Sequence, residues 1–140
     1  MTKKKIFWAG MILLAAFAFY YCGGSPGSDP DVVYSNPSFR DHIQPILTLN
    51  CSLYGCHHST ARAGLVLLEG PAYQNLVNIP SSQEPSRMRV LPGDAANSYL
   101  IIKIEGNQAT GTFMPQGRDI LDEVYIQNIK NWINRGALDN

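Results

Sequence analysis

The chain has 140 residues, enough for one domain, and its composition, 45% hydrophobic and 16% charged, is that of a globular protein. Formal charge is zero, from 11 basic and 11 acidic residues, but Lys3, Lys4 and Lys5 crowd the N-terminus and every acidic residue follows Cys22. Without that leader eight basic residues face 11 acidic ones, a net charge of −3, which excludes the basic face that nucleic acid requires.

Residues 1–21 read as an export signal. The three lysines form its positive start, and Ile6 to Tyr21 is an uncharged stretch of 16 residues. As a helix it would reach about 24 Å. That is short of the roughly 20 apolar residues of a comfortable membrane span and suits the apolar part of a secretory leader. Cys22 follows directly and precedes a Gly-Gly-Ser-Pro-Gly-Ser run, the position at which a bacterial lipoprotein carries its lipidated cysteine. Tyr21 is bulkier than the small residue usual there, and cleavage after Ala16-Phe17-Ala18 or an uncleaved short anchor are the other readings. Either anchored form puts the protein in the cell envelope, periplasmic or cell-surface, held at a membrane.

Residues 22–36 are rich in Gly, Ser, Pro and Asp and read as a flexible tether, about 20 Å in root-mean-square length. The folded domain is expected over 37–140. It opens with a helical pattern: Ser38 suits an N-cap, Phe39, Ile43, Ile46 and Leu47 recur at helical spacing, and Pro45 should kink or split the segment. From Ser52 to Gly117 the pattern is irregular. Leu65 to Leu68 reads as a short extended piece, and Asn97 to Ile104 as a short helix capped by Asp94 or Asn97. So little regular structure seldom folds around side chains alone, so a bound group is expected to fill the core there. The last helix is the clearest element. Asp122 caps it, Glu123 suits its first turn, Tyr125, Ile126, Ile129, Trp132 and Ile133 form an apolar face, and Gly136 stops it.

The chemistry-bearing stretch is Cys51-Ser-Leu-Tyr-Gly-Cys56-His57. Haem attachment uses two cysteine thiols, which add to the vinyl groups, and a histidine directly after the second, which binds iron. The cysteines are usually two residues apart; here four residues separate them, a longer loop that can bulge outward, and Gly55 eases the backbone before Cys56. Two other readings compete at this point. Cys51 and Cys56 can form a disulfide in an exported protein, and with His57 and His58 they can be set as zinc ligands, although adjacent ligands strain a tetrahedral site. An electron-carrying haem needs a second axial ligand, and methionine is the usual partner of histidine. After the leader only Met88 and Met114 remain. Met114 is favoured, because it lies in a loop before the last helix with Pro115 to stiffen it. His58 and His42 are the lesser candidates.

The chain resembles the small single-haem cytochrome c domains of exported bacterial proteins. The matching pieces are Ile43-Gln-Pro-Ile46, Cys51 to His57, Ala63-Gly-Leu-Val-Leu67, Tyr73 to Asn78, Leu91 to Leu100, Met114-Pro115 and Ile129 to Ala137, which together span nearly all of residues 39–137. The four-residue spacer is a variant that this family uses. The departure is Gln116-Gly-Arg118, where the family often shows a second proline or glycine. The resemblance implies an all-α, cytochrome c-like fold, with N- and C-terminal helices crossing and long irregular loops around one covalent haem c. It implies thioethers at Cys51 and Cys56, iron held by His57 and Met114, and a wall that includes Leu65, Leu67 and Leu100. It also implies an electron carrier rather than an enzyme, with redox proteins as partners; the acidic balance suggests that they present basic patches. Arg87, Arg89 and Arg118 read mainly as surface charges, with pairing to haem propionates as the sharper reading. A haem enzyme or sensor with a labile sixth ligand, and a haem-free module held by a disulfide, are the alternatives.

Overall fold

The computed structural model describes residues 31–59 and 61–140. The export signal, Cys22 and the first part of the expected tether lie outside the described residues. Those that are described form an all-α domain without strands; the nearest to a ladder are isolated bridges between Val77 and Val90 and between Pro80 and Met88. Among the described residues no helix is long and apolar enough to cross a membrane.

The first helical segment is split at Pro45, as its chemistry requires. A π-turn over Phe39–Ile43 passes into helix α1, Gln44–Asn50, with the proline in its first turn. Proline has no N–H to donate back to a carbonyl four residues earlier, and Gln44 N instead reaches Phe39 O, one residue further back. Ser38 caps the turn, its Oγ accepting from Asp41 N at 3.0 Å. The other leading donors find Asn140: Phe39 N gives to its Oδ1 at 3.0 Å and Arg40 N to its carbonyl at 2.9 Å.

Helix α4, Glu123–Asn134, matches its sequence signals at both ends. Asp122 Oδ1 accepts from Val124 N at 2.8 Å. At the far end Gly136 N gives to Ile133 O and Ala137 N to Trp132 O, both at 2.9 Å, with Gly136 at φ +102°. That pair of bonds satisfies the last carbonyls and needs the left-handed glycine. The α4 face carrying Ile126, Ile129, Trp132 and Ile133 packs on Phe39, Ile43, Ile46 and Leu47 in one buried cluster, and the Phe39 and Trp132 rings lie 5.2 Å apart.

The middle of the chain differs from expectation in two ways. It owns a share of the side-chain core: Leu67, Ala72, Leu76, Val90, Ala95, Ile101 and Ile104 are buried with the helical residues. Helix α2, Ala72–Leu76, was not apparent in the sequence, because five residues are too few for a periodicity to show. Helix α3 covers Tyr99–Ile104 and follows Ser98, whose side chain bonds Leu91 N and Asp94 O instead of capping. Asp94 accepts from Asn97 N at 3.1 Å and so closes the turn before the helix, not the helix itself.

The ordered unit also begins before residue 37. Asn128, buried on the otherwise apolar face of α4, accepts from Tyr34 N at 2.7 Å and donates to Val32 O at 2.9 Å. Asn131 donates to Tyr34 O and Arg135 to Asn36 Oδ1, so the last residues of the expected tether lie along α4. An exposed-looking run of Val-Val-Tyr-Ser-Asn gave no hint of this, because its partners are side chains almost a hundred residues away.

Candidate functional site

Cys51, Cys56, His57 and Met114 all line one cavity of about 500 Å³. That volume is in the range of a small-molecule or cofactor site. The loop after α1 carries the first three. Cys51 N bonds Leu47 O at the end of α1, and His57 N bonds Cys51 O, which closes the longer loop between the cysteines. The spacer bulges outward: Gly55 takes φ +77°, and Tyr54 is 84% exposed. Met114 comes from the opposite loop. Its N–H gives to Lys103 O at 2.8 Å, tying it to α3, and the Met114–Pro115 peptide is cis.

The His57 Nδ1 lies 3.3 Å from Leu65 O, a carbonyl that can only accept; a proton on Nδ1 makes that bond and leaves the lone pair on Nε2. Burial holds its pKa below the usual histidine value, which keeps the imidazole neutral. Leu67 N also bonds His57 O at 2.7 Å, so the Leu65–Leu67 strip is fastened alongside the histidine by two contacts. Leu65, Leu67 and Leu100, the expected apolar wall, line the cavity with Leu76 and Ile104.

Cys51 and Cys56 carry thiols and share no disulfide. Burial, and to a lesser extent the neighbouring Cys56, pushes the Cys51 thiol up to about 12. No three His, Cys, Asp or Glu side chains converge to hold a metal ion among the described residues. The lesser candidates for axial ligand lie elsewhere. His58 stacks on Tyr54 with centroids 4.2 Å apart and pairs with Ser59 Oγ at 3.0 Å. His42 Nδ1 accepts from Ser38 N at 3.0 Å, and its ring lies 4.1 Å from Tyr34. Met88 sits in the bridge with Pro80. None of the three contributes to the cavity wall.

The arginines divide into three situations. Arg87 pairs with Glu84 at 2.8 Å, away from the cavity. Arg118 is exposed on the cavity wall. Arg89 is a clamp, half-buried, with Nη1 on Asn75 O at 2.8 Å and Nη2 on the carbonyls of Ala63 and Gly64 at 3.2 and 3.1 Å. Those carbonyls belong to a run in which Ala61, Ala63 and Gly64 all have positive φ, and the guanidinium gathers carbonyls that no helix or strand satisfies. Two cations that the sequence did not single out also line the cavity, Arg62 and Lys103. Lys103 had a signal: it stands four residues after Tyr99 on α3, and so on the same face as a buried aromatic.

Comparison with protein-family models, with curated proteins and with solved structures finds no match to this chain.

Proposed function

We propose that the chain is a c-type cytochrome domain with one covalent haem, cytochrome c-like in fold, which carries electrons outside the cytoplasm and is not an enzyme. One observation carries this: both motif thiols, a neutral imidazole with its lone pair on Nε2, and the Met114 thioether share a single cavity with leucine and isoleucine walls. The donor set is soft sulfur and imidazole, which suits haem iron and covalent attachment.

Cys51 and Cys56 would attach the group through thioethers, each thiol adding its sulfur and its hydrogen across a vinyl double bond with no oxidant or reductant consumed. His57 offers Nε2 while Leu65 O holds its ring by Nδ1, an outer bond that also raises the basicity of the ligating nitrogen. Met114 offers its sulfur from a loop anchored through Lys103 O. Leu65, Leu67, Leu76, Leu100 and Ile104 exclude water. When bound, the haem would supply one-electron chemistry, and His57 and Met114 would be the residues that hold its iron. Donor and acceptor are redox proteins. The membrane link is the lipidated Cys22 or the leader itself.

Intact mass spectrometry of the full chain, matured with a c-type haem assembly system and then denatured, tests this. The expected result is a mass raised by one haem. An unmodified mass would reject the cytochrome and leave the disulfide-held module.

A further inference from the structure

The eight basic residues of the exported part are not spread evenly. Among the described residues, Arg62, Arg89, Lys103 and Arg118 line the cavity, and no Asp or Glu does. This reverses locally the acidic balance of the domain as a whole. Solvent reaches Arg62 and Arg118, and Arg89 is spent on backbone carbonyls. Lys103 is different. It is 6% exposed and its ammonium donates to Thr112 O. No carboxylate meets it among the described residues: Glu84 pairs with Arg87 and Glu105 with Lys130. A buried charge without a counter-charge is costly, and buried charges are as a rule paired.

The surroundings are arranged for an oxyanion. Tyr99 Oη donates to Gln83 Oε1 at 3.4 Å, and Tyr99 and Gln83 both line the cavity beside Lys103. Gly111 lets these groups approach: a Cβ there would stand 3.2 Å from Gln83 Nε2 and 3.6 Å from Lys103 Nζ. The Gln83 amide, whose Oε1 accepts from Tyr99, and the Lys103 ammonium together offer donors to an acid group.

We propose that Lys103 is the buried counter-ion for a carboxylate of the group held in the cavity, with the Gln83 amide, held through its Oε1 by Tyr99, as a neutral donor beside it. On the haem reading, on which this inference rests, that carboxylate is a propionate, and the opposite end of the same porphyrin is fixed by Cys51 and Cys56. Lys103 is a positioning residue. Its backbone carbonyl holds Met114 and its side chain would hold the propionate, so α3 sets both the sixth ligand and the tilt of the ring.

The test compares wild type with Lys103→Met and Lys103→Arg, all full-length and matured with haem. Two readings are taken: the propionate bending band in the resonance Raman spectrum, which follows hydrogen bonding to the carboxylate, and the reduction potential. Loss of the ammonium is expected to shift the band and lower the potential, since an unpaired negative charge favours ferric iron. The arginine variant is expected to restore the potential. A haem-loaded Lys103→Met with the wild-type band and potential overturns the proposal. Where that variant does not mature, Lys103→Gln, which keeps a donor without the charge, is read in the same way. A wild-type chain that takes no haem is a separate failure, that of the cytochrome reading, and mass spectrometry detects it before any spectrum is recorded.

Discussion

The crossing helices and the loops that wall the cavity are held by different forces. Between the π-turn with α1 and helix α4 the contacts are apolar and continuous: Phe39, Ile43, Leu47, Ile129, Trp132 and Ile133 are all buried. Among the described residues of the loop from Cys51 to Gly64 only Ser52 is buried, and the strip is fastened instead by backbone bonds and the Arg89 clamp. Area removed from water stabilises the first region, at about 25 cal/mol per Å². The second gains little from burial of its own side chains and keeps its thiols, imidazole and polar donors facing inward. A rigid frame with a sparsely packed, donor-rich lining suits the proposed cofactor, which would complete the packing that the lining lacks.

Substitutions in the two regions should therefore separate. The largest effect is expected from Cys51→Ala combined with Cys56→Ala. Covalent haem disappears from a denaturing gel, while the frame, measured as helical circular dichroism on the same preparation, is lost only in so far as it depends on the bound group. Trp132→Ala is the counterpart in the frame. It leaves every cavity donor in place and should cost about 3–5 kcal/mol in denaturant unfolding, from lost burial and the cavity left behind. If Trp132→Ala abolished haem attachment without lowering stability, the division between frame and lining would fail.

Asp122→Ala removes a single cap from α4. About 1 kcal/mol of stability should go, with no change in the visible bands of the matured protein. The smallest effect is expected at Met88, which lies outside the cavity wall. Met88→Leu conserves volume and should cost less than about 1.5 kcal/mol, again with an unchanged spectrum. A change in the spectrum of oxidised Met88→Leu would point to Met88 as a ligand and break the assignment of Met114.

How much of this was legible beforehand follows the same division. Helix α4 announced both its ends, because Asp122 and Gly136 act locally and the apolar face repeats within the element. The break at Pro45 was legible too, since a missing N–H is a property of one residue. The motif and Met114 stood out by chemistry and spacing. What stayed hidden depends on partners distant in sequence. Asn128 sits on an apolar face and looks like an interruption until Val32 and Tyr34 arrive at it. Lys103 looks like the polar edge of a short helix until α3 packs with that face inward. Arg89 reads as a surface charge until the left-handed run around Ala63 presents its carbonyls. The expectation that a bound group replaces the core of the middle segment overshot, because residues such as Leu76 and Val90 reach the common core through tertiary packing that no local pattern displays.

The visible absorption spectrum of the matured protein, oxidised and reduced, with Met114→Ala beside it, tests the central claim most directly. The account predicts sharp reduced bands of a six-coordinate c-type haem and, in the oxidised wild type, the weak long-wavelength band of sulfur-to-iron ligation. That band should vanish in Met114→Ala with the haem still attached. A colourless wild type would contradict the cytochrome, and a coloured one whose spectrum is untouched by Met114→Ala would contradict the ligand set.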